Sequence, residues 1–212
     1  MKRTLIFLLF SIYLSHSFAQ SKYEQAINQI RERFNCDENY AKWIVQKVDE
    51  FCTSLESDIE YVANSNDSYQ SKIGYIDNTV IKNHFVNRQS QIDISSVNTQ
   101  RINTTTISQY LYSLAKIKEK YGYTKVELLF DPDYLGIGTF HKVSSNCYEL
   151  SVSIWQIFRA WKRENISYSD ATRKKLRLLF FVDKDGYVTD IKTDRIAVAQ
   201  TVPIDRYNKI IQ

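Results

Sequence analysis

The sequence predicts an α+β fold in which N-terminal helices cover one face of an antiparallel sheet. Apolar residues recur at helical spacing over most of residues 22–65, and a helix with a clear N-terminal cap ends at Gly122. Beyond Gly122, apolar and polar residues alternate with a period of two, as they do in strands that bury one face. Only two prolines and five glycines occur, so we expect no long flexible linker between the two halves.

The first twenty residues, MKRTLIFLLFSIYLSHSFAQ, have the form of a secretory signal peptide. Lys2 and Arg3 precede an apolar run of about ten residues, and small residues surround Ala19. A helix needs about twenty apolar residues to span a bilayer, so this run is too short. We expect cleavage after Ala19, export to the periplasm or the extracellular space, and no membrane span. An uncleaved anchor helix is the alternative.

The helices of the first half follow from apolar spacing and from capping residues. Residues 22–34 and 37–65 are predicted to be helical, residues 77–86 a short helix, and residues 91–97 a strand. Thr106 and Gln109 then form a capping pattern that begins a further helix, for which Gly122 is the expected C-cap.

Three cysteines occur in a chain for which disulfides are permitted, Cys36, Cys52 and Cys147. The predicted helix between the first two places their Cα atoms about 24 Å apart, whereas a disulfide requires less than about 7 Å. This excludes a bond between Cys36 and Cys52. Cys52 lies on an apolar stripe and is interpreted as a core residue. Cys147 can still form a disulfide with one of the other two cysteines.

Three strands are predicted after Gly122, at residues 125–131, 147–161 and 172–182. The middle strand has one face that carries Tyr148, Leu150, Val152, Ile154, Gln156 and Phe158. We expect this face to point inward and the alternate residues, including Trp155, to point outward. Strands this long are normally curved or bulged.

This order of elements resembles the NTF2-like, cystatin-related cone. The segment from Trp155 to Val198 is similar to the last hairpins of secreted bacterial members, on the residues Gln156, Phe158, Tyr168, Asp170, Thr172 and Lys174. The resemblance implies helices packed in the concavity of a strongly curved antiparallel sheet. It divides the chain into a signal peptide (1–19), a helical extension (20–36), the α+β domain (37–202) and a C-terminal tail (203–212). Proteins of this fold include enzymes, ligand carriers and interaction modules, so function stays open.

The stretch DKDG at 183–186 has the letters of a calcium-binding loop. In that register the first and last ligand positions would be Phe181 and Lys192, which supply no oxygen ligand. We therefore interpret residues 183–186 as a hairpin turn in which Gly186 supplies a positive φ.

No other motif indicates a cofactor or a metal. GIG at 136–138 lacks the third glycine of a dinucleotide-binding loop, and DPD at 131–133 lacks further ligands nearby. His84 and His141 are interpreted as a helix-surface and a loop residue, although either is a possible general base.

Charge is nearly balanced, since 28 basic side chains face 24 acidic ones and loss of the signal peptide leaves about +2. We therefore expect no nucleic-acid partner. A basic cluster with two tryptophans nearby is an alternative surface for an acidic polymer, although a solvated sheet face is the simpler interpretation. The cluster consists of Lys162, Arg163, Arg173, Lys174, Lys175 and Arg177.

These observations favour a non-catalytic binding or interaction module with an unknown protein or small-molecule partner and a possible homodimer contact through the sheet. The alternative is a small cavity enzyme of the isomerase or dehydratase kind, which would place an Asp or His with a Tyr partner inside the cavity. The candidate pocket residues are Tyr110, Tyr148 and Gln156. Gln156 has the alternative role of a structural amide bonded to a neighbouring backbone group.

Overall fold

The computed structural model describes residues 23–25, 27–32, 35–99, 101–133 and 140–210. The chain divides into two compact units, the second of which begins at Asp49. The predicted signal peptide and the GIG stretch lie outside the described residues. Within the described part of the chain, no helix is both long enough and apolar enough to cross a membrane.

The first unit contains helix α1, helical at residues 23–25 and 27–32, and the start of helix α2 (Glu38–Asn64). Asp37 begins α2 by accepting a hydrogen bond from the Tyr40 backbone N–H at 2.8 Å. The predicted extension at 20–36 falls inside this unit, which runs on to Val48.

In the second unit, one continuous helical stretch replaces the short helix predicted at 77–86. Its parts are α3 (Tyr69–Tyr75), a π-helical turn (Ile76–Val80) and α4 (Ile81–His84). Ser68 caps α3 by accepting a hydrogen bond from the Ser71 backbone N–H at 3.1 Å. A serine in the middle of a polar stretch begins the helix earlier than apolar spacing alone indicates.

The helix predicted between Thr106 and Gly122 is present in two pieces, α5 (Ile107–Leu114) and α6 (Ile117–Tyr121). The Thr106 side chain accepts a hydrogen bond from the Gln109 backbone N–H, which confirms the predicted N-cap. Gly122 ends α6 with a φ of 66°, which confirms the predicted C-cap.

Within the described residues, seven strands form one sheet in the order β2-β1-β7-β6-β5-β3, with β4 also paired to β5. The strands are β1 (Gln91–Ile94), β2 (Asn103–Thr106), β3 (Lys125–Asp133), β4 (Phe140–Ser144), β5 (Cys147–Lys162), β6 (Asn165–Val182) and β7 (Val188–Val202). The sheet is antiparallel except for the pairing of β1 with β7, which is parallel. The strands predicted after Gly122 pair with one another in antiparallel fashion, as expected.

Strand β6 begins at Asn165 and not at residue 172, because the polar stretch before Thr172 pairs with the end of β5. The register shifts along β5–β6 and β6–β7 are bulges of the kind that bend long strands. Helices followed by a large bulged sheet are the architecture that the resemblance implied, and the predicted α+β fold class is confirmed.

The inner face of the sheet carries the apolar residues predicted for it. Leu150, Val152 and Ile154 of β5 are all at most 2% exposed. The end of α2 is fixed to the edge strand β3, because the Val126 N–H donates to Asn64 Oδ1 at 2.8 Å and the Asn64 amide returns a bond to the Val126 carbonyl.

The outer face is covered as well, by a helix that the sequence analysis assigned to a tail. Helix α7 (Ile204–Ile210) contributes Tyr207 to a buried cluster with Trp155, Ile157, Ala171 and Val202 of the sheet. The rings of Trp155 and Tyr207 lie 5.2 Å apart, and the Tyr207 hydroxyl donates to Asp131 at 2.9 Å. The expectation of a sheet buried on one side only is therefore wrong for this region.

Two other sequence-based interpretations are confirmed. Asp183 accepts backbone bonds from Asp185 and Tyr187 at 2.9 Å, and Gly186 has a φ of 85°, so residues 183–186 form the predicted turn. Cys52 is 1% exposed, as expected of a core residue. Cys147 and the other two cysteines are free thiols.

Candidate functional site

A cavity of about 530 Å³ opens on the inner face of the second unit. Its walls come from the residues after β1, from α5 and α6, and from strands β5 and β6. The lining residues are Ile94, Ser95, Ser96, Asn98, Thr99, Tyr110, Leu114, Ile117, Tyr121, Tyr123, Gln156, Phe158, Tyr168, Asp170, Thr172 and Lys174.

Strand β6 supplies a row of polar side chains to this cavity. Tyr168, Asp170, Thr172 and Lys174 are two residues apart, so the pleat of the strand turns all four to the same face. Strand β5 runs beside them, with Gln156 opposite Thr172 in the register. All six residues that carried the family resemblance therefore line one cavity, since Phe158 lines it too.

Asp170 is the acidic group of the cavity and is only 5% exposed. Burial raises the pKa of its carboxyl, while the Tyr168 hydroxyl, the Val97 backbone N–H and the charge of Lys174 act in the opposite direction. The Tyr168 hydroxyl donates to Asp170 and lies 2.8 Å from Ser96 Oγ. A carboxyl with a tyrosine partner thus stands inside the cavity.

Lys174 is the basic group of the cavity and is also 5% exposed. Burial lowers the pKa of its ammonium to about 8, although the carboxylates of Asp170 and Asp93 favour the charged form. Its Nζ lies 5.8 Å from the centre of the Tyr110 ring. Among the described residues, none forms a hydrogen bond or salt bridge with this nitrogen.

Asp93 acts on Lys174 only through its charge, and its carboxylate oxygens are hydrogen-bonded to other groups. Oδ1 accepts hydrogen bonds from Thr104 at 2.7 Å and from Arg195 at 2.9 Å, and Oδ2 accepts one from the Val198 N–H at 3.3 Å. Arg195 neutralises Asp93, which leaves the Lys174 nitrogen available to a ligand.

Two of the three predicted pocket residues meet in the cavity. The Tyr110 hydroxyl is hydrogen-bonded to the Gln156 side chain. Burial raises the pKa of Tyr110 to about 12, and the charge of Asp170 adds to this rise. The phenol therefore stays protonated at neutral pH, and Gln156 faces the cavity as predicted for the inner face of β5.

Tyr148, the third predicted residue, is not among the residues that line the cavity. It lies eight residues before Gln156, which corresponds to about 26 Å along a strand. There it pairs with Lys142 of β4, whose Nζ lies 5.7 Å from its ring. Tyr148 is on the predicted face of β5, but it lies too far along the strand to line the cavity.

The predicted basic cluster does not form one surface. Lys174 enters the cavity, whereas Lys175 beside it is exposed. Arg177 is paired with Asp194. Trp155, which was to supply an aromatic surface to this cluster, is buried under α7.

The interpretation of His84 as a helix-surface residue is wrong. His84 is 3% exposed, and its Nε2 lies 2.8 Å from Asp58, which also accepts a hydrogen bond from Tyr75 at 2.5 Å. Burial lowers the pKa of His84, although Asp58 opposes this. The three residues join α2 to α3 and α4 and do not line the cavity, so we assign them a structural role. His141 is on strand β4 and half exposed.

No metal site is found among the described residues, since no three His, Cys, Asp or Glu side chains cluster as ligands would.

No protein-family model and no curated protein sequence matches the chain. Solved structures similar to it include a putative scytalone dehydratase from Novosphingobium aromaticivorans, with 11% identity, a TM-score of 0.37, and coverage of 75% of this chain and 83% of that one. A protein from Kribbella flavida has 9% identity and a TM-score of 0.38 over 74% of this chain and 95% of that one. A type 2 hexachlorocyclohexane dehydrochlorinase (LinA) has 9% identity and a TM-score of 0.37 over 74% and 89%. The activities named belong to those proteins, and scores this low carry no conclusion about the reaction of this chain.

Proposed function

We propose that the chain is a small cavity enzyme that binds an organic molecule with an apolar body and moves a proton between that molecule and Lys174. The observation that carries this proposal is the presence of Lys174 and Asp170 in one unfilled cavity, with pKa values moved toward neutrality from opposite sides. A base acts best when its pKa lies near the working pH.

The cavity has the feature that distinguishes an enzyme from a non-catalytic module. A non-catalytic module of this fold can have an apolar, filled interior, whereas the enzyme alternative requires an Asp or His with a Tyr partner inside the cavity. The pair of Tyr168 and Asp170 fits the second description, and a cavity of about 530 Å³ lies in the range of small-molecule sites.

The side chains of the lining indicate a ligand with an apolar, partly aromatic body. Rings from Tyr121, Tyr123 and Phe158 and aliphatic groups from Leu114 and Ile117 line the cavity. The polar end is formed by Lys174, Gln156 and Tyr110, which together offer hydrogen-bond donors to a carbonyl, nitro or carboxylate oxygen.

The ring opening of 5-nitrobenzisoxazole tests the proposal without knowledge of the natural substrate. A base removes the proton on the ring carbon, the N–O bond breaks, and a coloured cyanophenolate forms. The native protein should accelerate this reaction with a rate that rises with pH through about 8, as Lys174 loses its proton. Lys174→Met should reduce kcat/KM by about a hundredfold or more.

Lys175→Met is the matched control, because Lys175 is the next residue and is exposed. It should leave the rate unchanged. Equal rates for native protein and Lys174→Met, with both proteins folded by circular dichroism, would contradict the proposal. Binding of the probe without ring opening would favour the non-catalytic module instead.

The proposed place of action is the periplasm or the extracellular space, and this rests on the predicted signal peptide alone. Intact mass of exported material should show a chain that begins at Gln20, whereas a retained Met1 would contradict it. The homodimer contact through the sheet likewise stays a prediction.

A further inference from the structure

We infer that Lys174 is a nucleophile that forms an imine with small aldehydes and ketones in the cavity. The inference deepens the proposed function, since it uses the same cavity and names carbonyl compounds as the ligand class. It adds a covalent step, which proton transfer does not require.

The position of Lys174 fits this role because its nitrogen faces open space. The side chain is buried along β6, its Nζ reaches the Tyr110 ring at 5.8 Å, and no described residue accepts a hydrogen bond from it. Cavity lysines with a purely structural role are normally held in an ion pair, because an unpaired buried charge is costly. An amine that is unpaired in a ligand-sized cavity is placed to meet a ligand.

Burial favours the free amine of Lys174, although the carboxylates of Asp170 and Asp93 act in the opposite direction. Asp170 lies on the same strand, Tyr110 on α5 and Asp93 on β1, and each of these groups is hydrogen-bonded to another partner. With a pKa of about 8, the neutral fraction of Lys174 at pH 7.5 exceeds that of an ordinary lysine by roughly a hundredfold. Only the neutral amine adds to a carbonyl carbon.

Imine formation needs neither an oxidant nor a reductant. The nitrogen lone pair of Lys174 forms a bond to the carbonyl carbon as the π bond of the carbonyl breaks, and one of the two nitrogen protons is passed to the oxygen to give a carbinolamine. The second nitrogen proton is passed to the hydroxyl as the carbon–oxygen bond breaks, so that one water leaves and a C=N bond remains. The Tyr110 phenol and the Asp170 carboxyl line the same cavity and are the groups that can relay these protons.

Cinnamaldehyde with sodium cyanoborohydride at pH 7.5 tests the inference, because the hydride converts an imine into a stable secondary amine. Cinnamaldehyde is a flat aromatic aldehyde that suits the ring-lined wall. Besides the addition to the α-amino group, which is also largely unprotonated at this pH, intact mass should show one early addition, and peptide mapping should place it on Lys174 roughly a hundredfold faster than on Lys175.

Lys174→Arg is the decisive variant, because it retains the positive charge and the length but cannot form an imine. It should lose the early addition, and so should Lys174→Met, whereas Lys175→Met should keep it. Equal labelling of Lys174 and Lys175 in the native protein would overturn the inference.

The two proposals fail separately. The ring opening of 5-nitrobenzisoxazole involves no carbonyl group, so a protein that opens the ring but is not labelled at Lys174 refutes the imine alone. A protein that is labelled at Lys174 but does not open the ring refutes the proton transfer and leaves the imine supported.

Discussion

The two faces of the sheet differ most where β5 and β6 run side by side. On the outer face, Trp155 and Ala171 are buried under α7, and the Tyr207 hydroxyl donates a hydrogen bond to Asp131 at 2.9 Å. On the inner face, Gln156 and Lys174 border an open cavity. Neighbouring residues of the same strands thus serve opposite purposes.

The difference shows that one face of a sheet can stabilise the fold while the other face carries the candidate reactive groups. The outer cluster is filled, and its removal would leave a void that the structure cannot close. On the inner face, the side chains border a cavity, and the Lys174 ammonium and the Asp170 carboxyl are largely buried, which destabilises their charged forms. Substitutions on the two faces should therefore change different measured properties.

Trp155→Ala should have the largest effect on stability, and it tests whether the outer face of the sheet serves stability alone. It removes the ring that packs on Tyr207, and loss of a buried aromatic side chain costs about 3–5 kcal/mol. Urea unfolding followed by circular dichroism measures the change. The labelling of Lys174 in the protein that remains folded should be unaltered, and a loss of labelling in the folded fraction would show that the faces are not independent.

The pH dependence of the unfolding free energy tests the burial of Lys174 on the inner face. The folded protein releases the Lys174 proton near pH 8 and the unfolded chain near 10.5, so unfolding takes up a proton between these values and stability rises with pH. Relative to Lys174→Met, the native protein should gain about 2 kcal/mol in unfolding free energy between pH 8 and 10. Parallel stability curves for the two proteins would show that Lys174 has an ordinary pKa.

The turn at 183–186 lies away from both faces and serves as a reference for them. Gly186→Val should destabilise the protein by about 1 kcal/mol or more, because a β-branched residue is strained at a φ of 85°. The melting temperature should fall while the cavity reactions stay the same. Gly74→Ala is the matched control, since Gly74 is within α3 and has open space for a methyl group, so stability should rise slightly.

The same turn should not respond to calcium. Millimolar calcium should leave the melting temperature of the native protein unchanged, because the loop lacks the oxygen ligands that the ion requires. A rise of several degrees would contradict the assignment as a turn.

Gln156→Leu should have the smallest effect on stability and a clear effect on the site. The substitution removes the hydrogen bond to Tyr110 but leaves that hydroxyl facing the open cavity, so the unfolding free energy should change by less than about 1 kcal/mol. The KM for 5-nitrobenzisoxazole should rise, since the polar end of the cavity loses a donor. A large loss of stability with unchanged KM would make Gln156 a structural residue.

The sequence alone predicted the inner face of β5 and proposed Gln156, Tyr110 and Tyr148 as one candidate pocket. Strict alternation fixes which side chains share a face, and that information is local. It does not fix how far along a strand a cavity extends, and for this reason Tyr148 was placed in the pocket although it lies about 26 Å away.

The polar side chains of β6 are evident in the sequence, but the sequence does not indicate that they line a cavity. Tyr168 and Asp170 stand in a stretch rich in polar residues that is typical of a turn, and Lys174 stands among other basic residues. Only the pairing with β5 shows that these residues alternate into a cavity. The burial of His84 depends on Asp58, which lies 26 positions away, so no local pattern indicates it.

The titration of Lys174 shows whether its amine can serve as a base and a nucleophile near neutral pH. Protein labelled with ¹³C at the lysine Cε carbons gives one NMR signal per lysine, and the spectrum of Lys174→Met identifies the signal of Lys174. This signal should shift with a midpoint of about pH 8. A midpoint near 10.5, the value of an ordinary lysine, would contradict it.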